Sequence, residues 1–112
     1  MTIREMCARA QATSVAKGFV TEGDPRIDQK LMLTVGELVE AQNELRNGHL
    51  PQFIYTVVVP DGPKPEGFPI ELADAVIRIG QLAEHLGIDL EAAIKLKMDY
   101  NDTRPFMHGK KF

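Results

Sequence analysis

Apolar residues recur at helical spacing in four stretches of the chain and lose that spacing in one. The first stretch opens with T-I-R-E, where Thr2 and Glu5 stand at the spacing of a capping box. It predicts a helix to about Ala16, closed by Gly18. The second carries KLMLTVGELVEAQNELRNG, with Asp24 expected as its cap, Pro25 as its first helical residue and Gly48 as its stop. The third runs from about Pro69 to Gly87. The fourth starts from its cap Asp89, continues through LEAAIKLKMDYN to about Asp102, and is stopped by Pro105. Gly36 lies inside the second helix, where it costs roughly 1 kcal/mol against Ala and so predicts a close approach by a neighbour.

Residues 49–69 break the pattern. Pro51, Pro60, Pro63, Pro65 and Pro69 exclude a helix, while FIYTVVV within the segment has the β-branched and aromatic content of a short strand. A connection of this length in a compact domain reads as a functional lid or as an oligomer contact through an exposed strand. The fold class expected is all-α. It is a small four-helix bundle forming a single domain over residues 1–112, with a long, β-containing loop between helices two and three.

The helical patterns also place the charge. Helix two holds GELVEA and helix three IELADA, so Glu37 and Glu40 repeat at i, i+3, as do Glu71 and Asp74. That spacing puts both members of a pair on one helix face. At about 100° per residue, Glu71, Asp74, Arg78, Gln81 and His85 share a polar stripe roughly 80° wide, bordered by Ala75 and Leu82 on one side and by Ile70 and Ile77 on the other. Either acid pair alone is ordinary solvated helix surface. Two pairs on adjacent, otherwise apolar helices bring four carboxylates together if those faces pack. Two like charges about 4 Å apart repel by roughly 4 kcal/mol at an effective dielectric near 20, so such a cluster calls for a cation. Carboxylate oxygens without histidine or cysteine suit Mg²⁺, or Mn²⁺, and Mg²⁺ sites commonly serve substrate phosphates. Positive groups for phosphate are offered by Lys97, which shares a face of helix four with the amide of Asn101 at i+4, by Arg104 one turn on, and by Lys110 and Lys111 in the tail. Arg78, four residues after Asp74, reads as a brace for that acid, a structural ion pair or a phosphate contact, the first two being favoured.

Composition narrows the field. With 44% hydrophobic and 26% charged residues and a net charge of −3, the chain has ordinary globular character and no basic arm for a nucleic acid polymer. Cys7 is the single cysteine, which excludes an internal disulfide and reads as a small core residue. The apolar runs are too short for a membrane span, and the polar start MTIREMCARAQ is unlike a signal peptide. A cytoplasmic setting is expected. His49, His85 and His108 show no ligand spacing and read as surface or helix-end residues. Phe53, Tyr55, Phe68 and Tyr100 are available to stack on a base but read first as packing residues. A core this small favours oligomerisation.

The order ELVE, then ELAD, then KMDYNDTRPFMHGKKF resembles the MazG-like nucleoside triphosphate pyrophosphohydrolases of the all-α NTP pyrophosphatase superfamily. Their ExxE and ExxD pattern is met by Glu37, Glu40, Glu71 and Asp74, and their K-x-x-x-N-x-x-R-P stretch by Lys97, Asn101, Arg104 and Pro105. The resemblance covers roughly residues 28–112, and the proline-rich segment between Glu40 and Glu71 is longer than in compact members. It implies hydrolysis of a nucleoside or deoxynucleoside triphosphate between the α and β phosphates, to the monophosphate and pyrophosphate. By the same resemblance the four acids would hold Mg²⁺ and act in catalysis, with the general base unassigned among them. Lys97, Asn101 and Arg104 would contact phosphate or sugar. It further implies a homodimer or homotetramer with sites near the subunit interface, and a role in clearing aberrant nucleotides or controlling nucleotide levels. The alternative reading is a non-catalytic helical module that binds a partner or a nucleotide on the same scaffold.

Overall fold

The computed structural model describes residues 1–20 and 25–110. Among these are four α-helices and one antiparallel β-hairpin. In chain order they are α1 (Ile3–Ala16), α2 (Ile27–Arg46), β1 (Tyr55–Val59), β2 (Gly62–Glu66), α3 (Phe68–His85) and α4 (Leu90–Thr103), followed by a 3-10 turn over Phe106–Gly109. The chain is therefore mostly helical but not purely α.

Local signals account for most boundaries. Thr2 caps α1 with the full capping box: its hydroxyl accepts from the Glu5 amide while Glu5 accepts from the Thr2 amide. Asp89 caps α4 by accepting from the Ala92 amide at 3.0 Å. Helix α2 starts later than its sequence predicts. Arg26 is the cap residue, in the left-handed conformation with φ 52°, and Pro25 precedes the helix rather than opening it. Asp24, the expected cap, lies outside the described residues.

The segment 49–69 contains two strands where the sequence predicts one. Tyr55 pairs with Glu66 and Val59 with Gly62, with Pro60 and Asp61 at the turn. The second strand, GPKPE, is disguised by Pro63 and Pro65. These stand two residues apart, so both missing donors fall on the side away from β1 and the ladder keeps the amides of its alternate residues. Lys64 and Glu66, also two apart, share one face of the strand. Gly67 then turns the chain into α3. Its φ is 128°, and a β-carbon there would stand 2.3 Å from the carbonyl oxygen of Phe53, so only glycine fits the junction.

Helices α2 and α3 pack along each other, and α1 lies against α3 on another side. Gly80 of α3 admits the Met6 and Cys7 side chains of α1: a β-carbon there would meet the Met6 sulfur at 2.8 Å. The apolar residues buried in this arrangement are small ones, namely Cys7, Ala10, Ala41, Ala75 and Ala83. Gly36 has open space where its β-carbon would be, so the close approach expected from its place in a helix is not made among the described residues. Helix α4 buries none of its residues and is tied to α1 by Arg4, which pairs with Asp89 at 2.9 Å and Glu91 at 3.5 Å. The radius of gyration is 16.9 Å, against about 13 Å for a compact domain of this length. Apolar side chains such as Leu31, Val35, Leu38, Val76 and Ile79 are correspondingly exposed.

Candidate metal centre

The Glu71 end of the polar stripe of α3 faces inward together with Ala75 beside it, while apolar residues elsewhere on the helix face out. Glu71 is buried at 5% exposure, whereas Val76 and Ile79 of the same helix are exposed. The reason lies in what the stripe meets. Glu71 and Asp74 turn to Glu37 and Glu40 on α2, and Gln81 and His85 turn to Gln11 of α1. Gln81 donates to the Gln11 amide oxygen at 2.7 Å, and Gln11 Nε2 lies 3.3 Å from His85 Nδ1.

Three of the four acids converge tightly. Glu37, Glu40 and Glu71 each bring a carboxylate oxygen within 4.8 Å of the other two. Asp74 lines the same cleft, of about 480 Å³, which Lys64 and Glu66 close from the hairpin. Arg78 enters from one side. Its Nε donates to Glu37 Oε1 at 2.8 Å, so the arginine bridges α3 to α2 instead of pairing within its own helix with Asp74. On the far side of Glu37, Asp74 and Arg78, a second cleft of about 430 Å³ is walled by Phe19, Leu33 and Ile77.

The electrostatics follow from crowding. Burial, and then hydrogen bonding with Glu40 and Glu37, pushes the Glu71 carboxyl up to about 8. Asp74 is also raised, first by burial and then by the charge of Glu37. For Glu37, burial works in the raising direction, but hydrogen bonds from Arg78, Glu40 and Glu71 outweigh it and hold the carboxyl low. The cluster thus retains a proton on Glu71 where a free glutamate is ionised. One oxygen, Glu71 Oε2, is fully buried and has no hydrogen-bond partner among the described residues. A buried carboxylate oxygen without a donor is costly to the fold, and a bound cation removes that cost. The donor set, oxygen only, fits a hard divalent ion such as Mg²⁺ or Mn²⁺.

The α4 residues are not brought to this cleft. Lys97 and Arg104 both lie over the Tyr100 ring, at 4.9 Å and 5.8 Å from its centroid, and Asn101 lies on the same exposed helix as Lys97. None of the three lines either cleft beside the acids. Lys110 is exposed and Lys111 lies outside the described residues.

Glu44, Lys64 and Glu66 line the cleft, and Tyr55 and His49 hold Glu44; the sequence clusters Glu44 with Glu37 and Glu40 on one helix face and reads His49 as a surface residue and Tyr55 as packing, but assigns none of the five to the site. Glu44 is buried near the end of α2 and accepts from the Tyr55 hydroxyl at 2.8 Å, while His49 Nδ1 lies 2.6 Å from its other oxygen. Hydrogen bonding to Glu44 pushes the Tyr55 phenol up to about 12, and the bonds from His49 and Tyr55 hold Glu44 low. Phe53 and Tyr55 stack at 5.3 Å, with His49 edge-on to both, which fastens the hairpin to the end of α2. A signal was present in the spacing of Glu40 and Glu44 and in the alternation K-P-E, but nothing in the chain order shows that the hairpin folds back over α2.

Compared with protein-family models, with curated proteins and with solved structures, the chain matches none. No helix among the described residues is long and apolar enough to cross a membrane.

Proposed function

We propose that the chain is a Mg²⁺-dependent nucleoside triphosphate pyrophosphohydrolase of MazG-like type, built on a four-helix scaffold. The observation that carries this reading is the buried carboxylate oxygen of Glu71, without a hydrogen-bond partner among the described residues, drawn together with the carboxylates of Glu37 and Glu40. Glu37, Glu40, Glu71 and Asp74 hold the ion. Bound there, Mg²⁺ supplies charge neutralisation for a triphosphate and for the pyrophosphate that leaves it.

The chain's own groups do the rest. Arg78 fixes Glu37, and so the spacing of the acid pairs. Glu71 would hold the ion as its carboxylate, since metal ligands bind deprotonated. Water forms the new bond to the α-phosphorus, the α–β bridging oxygen leaves with pyrophosphate, and an acid of the cluster takes the proton. The cleft walled by Phe19, Leu33 and Ile77 receives the nucleoside end. Lys97, Asn101 and Arg104 reach phosphate or sugar from a second copy of the chain, because within one copy they stand away from the acids. The assembly is a homodimer or homotetramer, consistent with the exposed apolar faces of α2 and α3. Its setting is cytoplasmic and its role is control of the nucleotide pool.

The test is product analysis with a panel of ribo- and deoxyribonucleoside triphosphates and Mg²⁺. Monophosphate and pyrophosphate in equal amounts are expected from at least one nucleotide. Orthophosphate as first product rejects the reaction. Tight nucleotide binding without turnover favours a non-catalytic binding module on the same scaffold.

A further inference from the structure

The polar stripe of α3 runs on past the acids into the second cleft. Gln81 stands two turns beyond Asp74, about 10 Å along the helix, and lines the cleft that Phe19, Leu33 and Ile77 wall. A sugar and base extend over about that length from the phosphate, so a triphosphate held at the acids brings its base to the level of Gln81. The walls offer contact area, since Phe19 is 80% exposed and Leu33 and Ile77 are each 45% exposed. Apolar walls accept any base, so discrimination falls to polar groups. Ser14 and Lys30 also line the cleft, but beyond the acids and Arg78 only Gln81 has its polar atoms set by a side-chain hydrogen bond among the described residues.

That setting comes from α1. Gln81 Nε2 donates to Gln11 Oε1 at 2.7 Å, and Gln11 Nε2 lies 3.3 Å from His85 Nδ1. With its oxygen taken by Gln81, Gln11 turns its Nε2 to His85, and Nδ1 accepts from it in the imidazole whose proton sits on Nε2. All three residues are half-buried. Turning the Gln81 amide over sets its oxygen against the Gln11 oxygen and loses the bond. Gln81 Oε1 has no hydrogen-bond partner among the described residues, so an acceptor of fixed polarity is left for a ligand.

We infer that Gln81 is a specificity-determining residue for the nucleoside end, with Gln11 and His85 as positioning residues that keep its amide oxygen toward the cleft. An amide oxygen accepts from the exocyclic amino group of cytosine or adenine, and it opposes the exocyclic oxygen of uracil or hypoxanthine. The substrate class is therefore a nucleotide with an amino-bearing base. Reading the oxo base requires the amide to turn over and lose Gln11. The inference rests on the proposed function for the acids and concerns the end of the substrate that the acids do not read.

The test uses two matched pairs that differ only in this group, cytidine against uridine triphosphate and adenosine against inosine triphosphate. Wild type is expected to favour the amino member of each pair by about tenfold or more in kcat/KM, mostly through KM. Gln81→Met and Gln11→Met are each expected to bring the ratios to within about twofold. Gln11→Glu keeps an acceptor for Gln81 Nε2 and is expected to keep the ratios, which a merely structural role for Gln11 does not require. Wild-type ratios near one, or favouring the oxo member, overturn the inference and leave the proposed reaction standing. Ratios unchanged in both methionine variants overturn the assignment of Gln81 and Gln11. If no nucleotide is turned over, the proposed reaction fails, and calorimetry with the α,β-methylene analogues of the same pairs decides the inference alone. An amino preference there that Gln81→Met abolishes sustains it, and equal binding overturns it.

Discussion

Arg78 Nε donates to Glu37 Oε1 at 2.8 Å across the α2–α3 interface, which makes this arginine the cation joining the two acid-bearing helices. Glu37 is only 12% exposed, so removal of the guanidinium leaves a desolvated carboxylate facing other carboxylates. Arg78 is itself 43% exposed, so solvent screens much of the interaction. Arg78→Met is therefore expected to destabilise the metal-free protein by about 1 kcal/mol, read from urea unfolding in EDTA. The loss is expected to shrink when Mg²⁺ is present, because the ion takes over the neutralisation. Equal stability of variant and wild type in EDTA rejects Arg78 as a structural brace.

Glu71 gives the metal-free protein a distinct pH dependence. Its carboxyl is pushed up to about 8 in the fold, against an ordinary value of 4.5 in the unfolded chain. Between those values the native state binds more protons than the unfolded state, so the contribution to stability falls as pH rises through that window. The melting temperature in EDTA is expected to drop between pH 5 and pH 8, and Mg²⁺ at pH 8 is expected to restore it. Glu71→Gln, which carries the neutral form permanently, should flatten the drop in EDTA and remove the Mg²⁺ response. Coincident melting curves with EDTA and with Mg²⁺ at pH 8 would mean that the acids are not crowded.

The acid pairs were legible because helical periodicity is a local property: i, i+3 spacing places Glu71 beside Asp74 whatever else the chain does. The facing of the two pairs stayed conditional in the sequence, because a narrow polar stripe on α3 does not say which helix it packs against. Three things were hidden. The second strand was masked by Pro63 and Pro65, whose missing donors matter only once the side facing β1 is known. The ion-pair partner of Arg78 was hidden because Asp74 at i−4 is visible in the chain order and Glu37 on α2 is not. The fold-back of the hairpin onto Glu44 depends on the ring cluster of His49, Phe53 and Tyr55, and ring contacts between loop residues have no periodic signature.

Two glycines set opposite expectations for the same substitution. Gly67→Ala places a β-carbon 2.3 Å from the Phe53 carbonyl oxygen at φ 128°, and is expected to cost more than about 2 kcal/mol while loosening the hairpin. Amide exchange in β1 and β2 should rise more than in α1. Gly36→Ala meets open space in a helix interior and is expected to stabilise the isolated chain by about 1 kcal/mol. If Gly36→Ala instead lowers the mass measured by light scattering, the glycine serves contact with a second copy.

Lys97 and Arg104 gather over Tyr100 at the end of an exposed helix, while the cleft they are expected to serve is lined by α2, α3 and the hairpin. If a second copy closes the site, damage to the acids and damage to α4 are complementary. Glu71→Gln alone and Arg104→Ala alone are each expected to lose most turnover. Arg104→Ala should keep full Mn²⁺ binding, since it leaves the acids untouched. When the two variants are co-expressed as an exchanging dimer, half of the dimers are mixed. Each mixed dimer has one of its two sites built from intact acids and an intact α4, so about one quarter of wild-type activity should return. No recovery, with mixed dimers demonstrated by differential tagging, would show that α4 does not serve the partner's cleft.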